Sequence, residues 1–256
     1  MGACLSTSVA SDSKSTSTSS GGGIAVTSES SVSARFEKLL EGAIGKPEHD
    51  YDYLFKVLLL GASSVGKSSI MKRFCFNDFA YDVPSTIGLD YMHRFVTVDS
   101  HNVVQAEQLR LNGVQNSPRA PSDKSARVKV QLWDTAGQER FAAVTRNYFK
   151  GVHCFVVVFD ITQRDTFSKV ASFLEAIEQH GVAGAPILLI GNKSDLSSVR
   201  VVSELEAIEF SRKHPQIVGY MQTSASTGDG VTTAVHTLVT RFMKMMRDFQ
   251  SNSRGR

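Results

Sequence analysis

Apolar residues along this chain fall into short unbroken runs, and between the runs they recur at helical spacing. The run at 53–60, YLFKVLLL, reads as a buried strand entering a glycine-bearing loop, and a helix is predicted over 67–75. Further runs predict strands at 128–133, 154–159, 187–190 and 217–221, alternating with helices at 165–180, 204–213 and 229–249. Two segments, HRFVTV (93–98) and VKVQLW (128–133), alternate apolar with polar residues, the pattern of an antiparallel pair. Strands alternating with helices imply an α/β fold, because each crossover carries a helix back over the sheet. The predicted sheet is six-stranded and mostly parallel, with one antiparallel edge strand and helices on both faces. Val231, Val235, Leu238, Val239, Phe242 and Met246 form one stripe of the last helix and are assigned to the core. Ser203 and Glu206 have the spacing of a capping box.

The pattern breaks between Asp99 and Arg127, where the sequence is polar and carries Asn-Gly and two prolines. This reads as an inserted loop, 99–127, lengthening the turn between the second and third strands, a change whose closure entropy grows only logarithmically with length. From Leu5 to about Ser33 the chain is mostly Ser, Thr and Gly, too poor in large apolar residues to offset the entropy of ordering, and is read as a flexible tether. Phe36, Leu39, Leu40 and Ile44 have near-helical spacing and predict a short helix over 34–44 ahead of Pro47. The division is then a flexible extension at 1–50, one folded domain at 51–249 and a disordered tail at 250–256.

Composition excludes more than it identifies. The chain has 256 residues, 41% of them hydrophobic, which is enough for one full core. A net charge of +3 is too mild to suggest a nucleic-acid partner. Cys4, Cys75 and Cys154 form no CxxC pair and no metal-ligand spacing, which fits a reducing compartment. No stretch approaches the roughly 20 apolar residues of a spanning helix, and the N-terminus lacks the basic and apolar regions of a secretory signal.

The chemistry begins at Gly61-Ala62-Ser63-Ser64-Val65-Gly66-Lys67-Ser68, a full GxxxxGK[ST] match between strand and helix. Its glycines let consecutive N–H groups close around a phosphate chain at a helix N-terminus. Ser64, Val65, Gly66, Lys67, Ser68 and Ser69 are the candidate phosphate contacts. Lys67 is placed to reach the β- and γ-phosphates, and the Ser68 hydroxyl to ligate Mg²⁺. Such a loop alone leaves ATPases, kinases and GTPases open.

Two further motifs narrow the choice. Asp134-Thr135-Ala136-Gly137-Gln138 follows an apolar strand, so Asp134 can hold the Mg²⁺ shell, the Gly137 amide can sense the γ-phosphate and Gln138 can orient the attacking water. Asn192-Lys193-Ser194-Asp195 follows the next buried strand but one, and Thr223-Ser224-Ala225 the strand after it. A carboxylate at Asp195 accepts from both N1–H and the 2-amino group of guanine, a donor pair that adenine lacks. The Ala225 amide is expected to meet the guanine O6 and the Lys193 stem to pack over the ring, with Asn192 and Ser224 beside them.

Over roughly 53–249, apart from the insert, the sequence resembles the small GTPases, and within them the Rab proteins, through GASSVGKSS, STIGLDY, VQLWDTAGQERF, NYFKG, VVVFDIT, GNKSD and TSAS in order. The resemblance implies a P-loop GTPase domain with slow GTP hydrolysis, a GTP/GDP switch regulating vesicle traffic. It implies that Thr86 ligates Mg²⁺ and the γ-phosphate in the GTP state, so that two switch segments order with GTP and relax on hydrolysis. Ile87, Gly88, Tyr91, Trp133 and Tyr148 match the surface such proteins present to effectors, while exchange factors and activating proteins are the implied regulators. Two residues depart from the pattern. Ser63 stands where Ras-type proteins have Gly but Rab-like ones often have Ser, so hydrolysis is expected to survive. Ser226 replaces the usual lysine after Ser-Ala, which predicts a somewhat weaker hold on the base.

Rab proteins normally end in prenylated cysteines, yet this chain ends SNSRGR. Its other end, Met1-Gly2-Ala3-Cys4-Leu5-Ser6, matches the myristoylation pattern with a cysteine positioned for palmitoylation. Myristate alone binds bilayers marginally, so acyl chains on both Gly2 and Cys4 are the expected anchor, at the cytoplasmic face of endosomal or Golgi-related membranes. The basic residues near the C-terminus, such as Arg241 and Lys244, read as a solvated face. Two competing readings carry their own tests: a GTP-loaded scaffold that barely hydrolyses, against which Gln138 argues, and an ATP-using P-loop enzyme, against which Asp195 argues.

Overall fold

The computed structural model describes residues 29–81, 86, 89–99, 125–135 and 146–254. Gly2, Cys4, Ile87, Gly88, Gly137 and Gln138, together with the expected tether up to residue 28, lie outside the described residues.

Six strands form one sheet: β1 (Tyr53–Leu60), β2 (Leu89–Asp99), β3 (Ser125–Thr135), β4 (Cys154–Asp160), β5 (Ile187–Asn192) and β6 (Ile217–Gln222), in the order β2-β3-β1-β4-β5-β6. All neighbours run parallel except β2, which pairs antiparallel with β3 at the edge, as the alternation at 93–98 predicted. The unbroken apolar runs have a direct cause. In β1 and β4, residues Val57, Leu59, Val156 and Val158 enter one core, while Leu58, Leu60, Phe155 and Val157 enter the other, so both faces of the central strands are covered. The first core is closed by α1 (Glu29–Ala43), α2 (Lys67–Phe76) and the closing helix Val231–Arg254, and the second by α3 (Arg164–Ser168), α4 (Val170–His180) and α5 (Glu204–Lys213). The closing helix, α6, buries all six residues of its predicted stripe. No helix among the described residues is long and apolar enough to cross a membrane.

Several boundaries and one cap differ from the sequence expectation. The helix predicted over 34–44 begins at Glu29, and Leu39, Leu40 and Ala43 are buried in the first core, so the flexible extension expected at 1–50 fails from residue 29 on. It belongs to the packed domain. Register continues through Thr97↔Arg127 to Asp99↔Ser125, which confines any insertion to 100–124 rather than 99–127; burial of Val96 and Val98 keeps the strand in place that far. The predicted helix at 165–180 is two, α3 and α4, joined at Lys169. α6 starts at Val231 and runs to Arg254, so residues 250–254, expected in the tail, are its last turns. Finally, the Ser203 side chain does accept from Glu206 N, but the Glu206 carboxylate pairs with Arg164 instead of reaching back, which leaves half a capping box.

α1 is fastened at the amino end of the sheet. Ile44 bridges to Tyr53, the first residue of β1, and Phe36 meets Phe249 of α6 edge-on at 5.6 Å. His153, 5% exposed, locks this corner: its Nδ1 accepts from Lys56 N at 2.8 Å, and it also hydrogen-bonds the Leu39 backbone. Burial, aided by Lys56 and opposed by the Leu39 bond, lowers its pKa from 6.5 to about 4. The folded state therefore takes up its proton only near pH 4, whereas the unfolded chain does so near 6.5. Stability is fully present above pH 6.5 and declines as pH falls towards 4, by about 3 kcal/mol in all. Chemical denaturation at pH 7 and pH 4.5 is expected to show most of that loss in the parent and much less in His153→Phe. Equal losses in both would remove His153 as the cause.

Candidate functional site

The loop after β1 turns on residues with positive φ, among them Ser64 (63°) and Gly66 (95°), before α2 starts at Lys67 with no side-chain cap on its open N–H groups. The loop bounds a cavity of about 420 Å³ at the carboxyl ends of the strands, lined by Ser64, Gly66, Lys67, Ser68 and Ser69 on one side and by Asn192, Lys193, Asp195 and Ala225 on the other. Val65 is fully buried and contributes its backbone only.

Lys67 is 5% exposed and donates to the Gly61 and Ala62 carbonyls, both at 2.9 Å. Desolvation lowers its pKa from 10.5 to about 8, against the pull of Asp134. An ammonium so poorly hydrated is ready to pair with an anion.

Three oxygens converge beside it. Ser68 Oγ donates to Asp134 Oδ2, Thr86 Oγ1 donates to the same oxygen at 2.9 Å, and the two hydroxyls are 2.8 Å apart. Burial raises the Asp134 pKa, opposed by Ser68, Lys67 and Thr86, and its Oδ1 is buried with no hydrogen-bond partner among the described residues. One carboxylate and two hydroxyls, drawn from α2, the segment before β2 and the end of β3, fit a small hard cation that keeps water or phosphate oxygens for its remaining positions.

Across the cavity, the Asn192 side chain ties the two motif loops together. Its Nδ2 donates to Val65 O at 2.8 Å, and its Oδ1 accepts from Thr223 Oγ1 at 3.0 Å and from Ala225 N at 3.3 Å. The Ala225 amide, expected to face a base oxygen, is thus directed at Asn192, because the β6 loop closes over that side chain. Lys193, at φ 65°, pairs with the buried Asp160 at 2.7 Å, which draws its stem across the cavity wall. Partial burial works against ionisation of Asp195, but hydrogen bonds from Ser224 and then Ser226 carry its pKa below the usual value. Ser224 does not line the cavity; its Oγ stands behind Asp195 and donates at 2.6 Å.

Residues 56–244 match the model of the Ras family. The chain belongs to that family. It is 37% identical over 201 residues to the Ras-related protein RABA1h of Arabidopsis thaliana, covering 78% of this chain and 80% of the relative. Identity is 36% over 198 residues to the Ras-related protein Rab-27B of Bos taurus, with 77% and 83% covered. To the GTP-binding protein ypt3 of Schizosaccharomyces pombe it is 33% over 199 residues, with 78% and 80% covered. This Ras-family protein is a Rab-like small GTPase, a GTP hydrolase of vesicle traffic. Ras-family GTPases generally use Mg²⁺, and Rab-like members bind guanine nucleotides, regulators and effectors and associate with endomembranes.

Of Tyr91, Trp133 and Tyr148, the aromatic trio within the expected effector surface, Tyr91 and Trp133 are cross-strand partners with rings stacked at 4.8 Å and 19°, and Lys56 Nζ sits 4.2 Å from the Trp133 ring. Tyr91 is 52% exposed, while Tyr148 and Trp133 are half-buried against the second core. The trio is neither wholly core nor wholly surface. Sequence reasoning missed Phe79, which lines the cavity of this Ras-family protein. The Arg73 guanidinium lies 5.8 Å from its ring and donates to the Ala225 and Ser226 carbonyls, so Phe79 sits beside the loop after β6. Its aromaticity, shared with Tyr81 two residues on, was the available signal.

Proposed function

We propose that the cavity is the GTP/GDP site of the switch, with phosphates on the Ser64–Ser69 segment and Lys67, and guanine against Asn192, Lys193, Asp195 and Ala225. Ser68, Thr86 and Asp134 would hold Mg²⁺, which when bound supplies charge neutralisation along the β–γ bridge. The observation that carries this reading is the meeting of the Ser68, Thr86 and Asp134 oxygens beside the buried Lys67 ammonium, with Asp134 Oδ1 left without a partner among the described residues. In this proposal the Gly137 amide senses the γ-phosphate and Gln138 orients the attacking water, roles that rest on the Asp134–Gln138 motif in the sequence. A Gln138→Leu variant is expected to bind GTP as the parent does and to hydrolyse it at least about tenfold more slowly in a single-turnover assay. An unchanged rate would take Gln138 out of the reaction.

In this proposal Ile87, Gly88, Tyr91, Trp133 and Tyr148 form the effector surface, and acyl chains on Gly2 and Cys4 hold the protein at the cytoplasmic face of endomembranes. Support for the anchor comes from the Met1–Ser6 pattern. Membrane fractionation of Gly2→Ala and Cys4→Ser variants tests it: both are expected in the soluble fraction with the parent in the pellet. Variants that pellet like the parent would end the acylation proposal.

A further inference from the structure

Asp195 is backed by a pair of hydroxyls. Ser224 Oγ donates to its Oδ1 at 2.6 Å, Ser226 Oγ lies 3.0 Å from Ser224 Oγ, and both serines lower the Asp195 pKa. Ser226 also lines the cavity. Its backbone is held independently of its side chain: Arg73 Nη2 donates to Ser226 O at 2.6 Å and Nε to Ala225 O at 2.8 Å, while Arg73 Nη1 is itself bonded to Asn77 O at 3.0 Å. On the other side, the Thr227 amide donates to Ser224 Oγ at 3.1 Å and the Gly228 amide to Ser224 O at 2.8 Å. The loop geometry sets the hydroxyl; the hydroxyl does not set the loop.

We infer that Ser226 is a positioning residue for base selection, holding the Asp195 carboxylate in the plane that lets both of its oxygens accept from guanine. The inference rests on the proposed role of Asp195. The terminal torsion of an aspartate is broad and two-fold, so an unrestrained carboxylate rotates out of the plane of a bound base. One oxygen can follow a single donor through that rotation, but two adjacent donors are satisfied together only when the carboxylate is coplanar with the ring. Guanine presents N1–H and a 2-amino group side by side. Hypoxanthine presents N1–H alone. A restraint on carboxylate rotation therefore strengthens guanine binding and leaves hypoxanthine nearly untouched. In this way the serine answers for the expected loss at this position: it contributes through the carboxylate rather than by touching the base.

The test compares GDP with inosine diphosphate in competition binding to the full chain, using the parent, Ser226→Ala, Ser226→Thr and Asp195→Asn. Ser226→Ala is expected to weaken GDP about tenfold and inosine diphosphate less than about twofold, the scale of one hydrogen bond to a charged group. Ser226→Thr, which keeps the hydroxyl, restores the parent ratio. A ratio unchanged in Ser226→Ala, or both nucleotides weakened equally as a merely structural serine would give, overturns the inference while Asp195→Asn still loses its preference for GDP. If Asp195→Asn itself keeps the parent ratio, the proposed role of Asp195 fails, and the inference with it.

Discussion

Lys67→Met is expected to abolish nucleotide binding and, at the same time, to make the nucleotide-free protein more stable. Both effects come from one buried ammonium. With 5% exposure and two carbonyls for partners, Lys67 is charged in a place that disfavours charge, and its pKa has fallen from 10.5 to about 8. That fall corresponds to about 3 kcal/mol of differential cost for the protonated form. Methionine fills a similar volume without the charge. It also deprives Asp134 of a favourable neighbour, so the net gain is about 1–2 kcal/mol. With a phosphate chain bound the balance reverses, because the ammonium then has an anionic partner in a poorly solvated site, and losing it costs at least about a thousandfold in affinity. Denaturant midpoints of the nucleotide-free proteins and titration calorimetry with GDP read the two effects separately. A variant that binds GDP within tenfold of the parent would sink the assignment of Lys67 to the phosphates.

Gly66→Ala is the second large effect, and it acts through Asn192. Gly66 lies at φ 95°, where an L-residue is strained, and a Cβ there would fall well inside contact distance of Asn192 Nδ2. The displaced amide is the one that joins Val65 O to Thr223 and Ala225, so a single methyl loosens the phosphate loop from the base loop. A loss of about 3 kcal/mol in stability and about a hundredfold in GDP affinity follows from the strain plus the orphaned Val65 carbonyl and Thr223 hydroxyl. Asn192→Ala vacates the space that the methyl needs. The double variant is therefore expected to lose less than the two single variants added together. Strict additivity would show that the clash is not the cause.

How much of this was legible in the sequence depended on what held each part in place. β4 and β5 are buried along their whole length and apolar until they reach the site at Asp160 and Asn192, so the runs at 154–159 and 187–190 announced them. The three motif loops could be read because phosphate, cation and base each demand particular residue types at fixed offsets. α1 was legible only in its second half. Its first residues are polar, and docking of Leu39, Leu40 and Ala43 decides its existence rather than local propensity. The end of α6 was obscured by composition: QSNSR looks like a tail, yet no Gly or Pro interrupts the helix before Gly255. Phe79 and Ser226 carry no pattern of their own. Their roles arise from Arg73, which brings α2, the segment after it and the β6 loop together, a three-way meeting that no linear spacing encodes.

The docking of α1 also fixes a direction. The helix is fastened where β1 begins, and the cavity opens where β1 ends, seven residues further on, about 23 Å away along the strand. If Gly2 and Cys4 carry the acyl chains, traction from the bilayer enters the domain through α1, whose Phe36 and following Ile44 are fastened on the side away from the nucleotide. Residues 1–28 then span at most about 100 Å, even fully drawn out. The protein would hang like a lamp from its cord, mouth turned to the cytosol, so that exchange and activating proteins could approach the nucleotide without passing between the domain and the lipid.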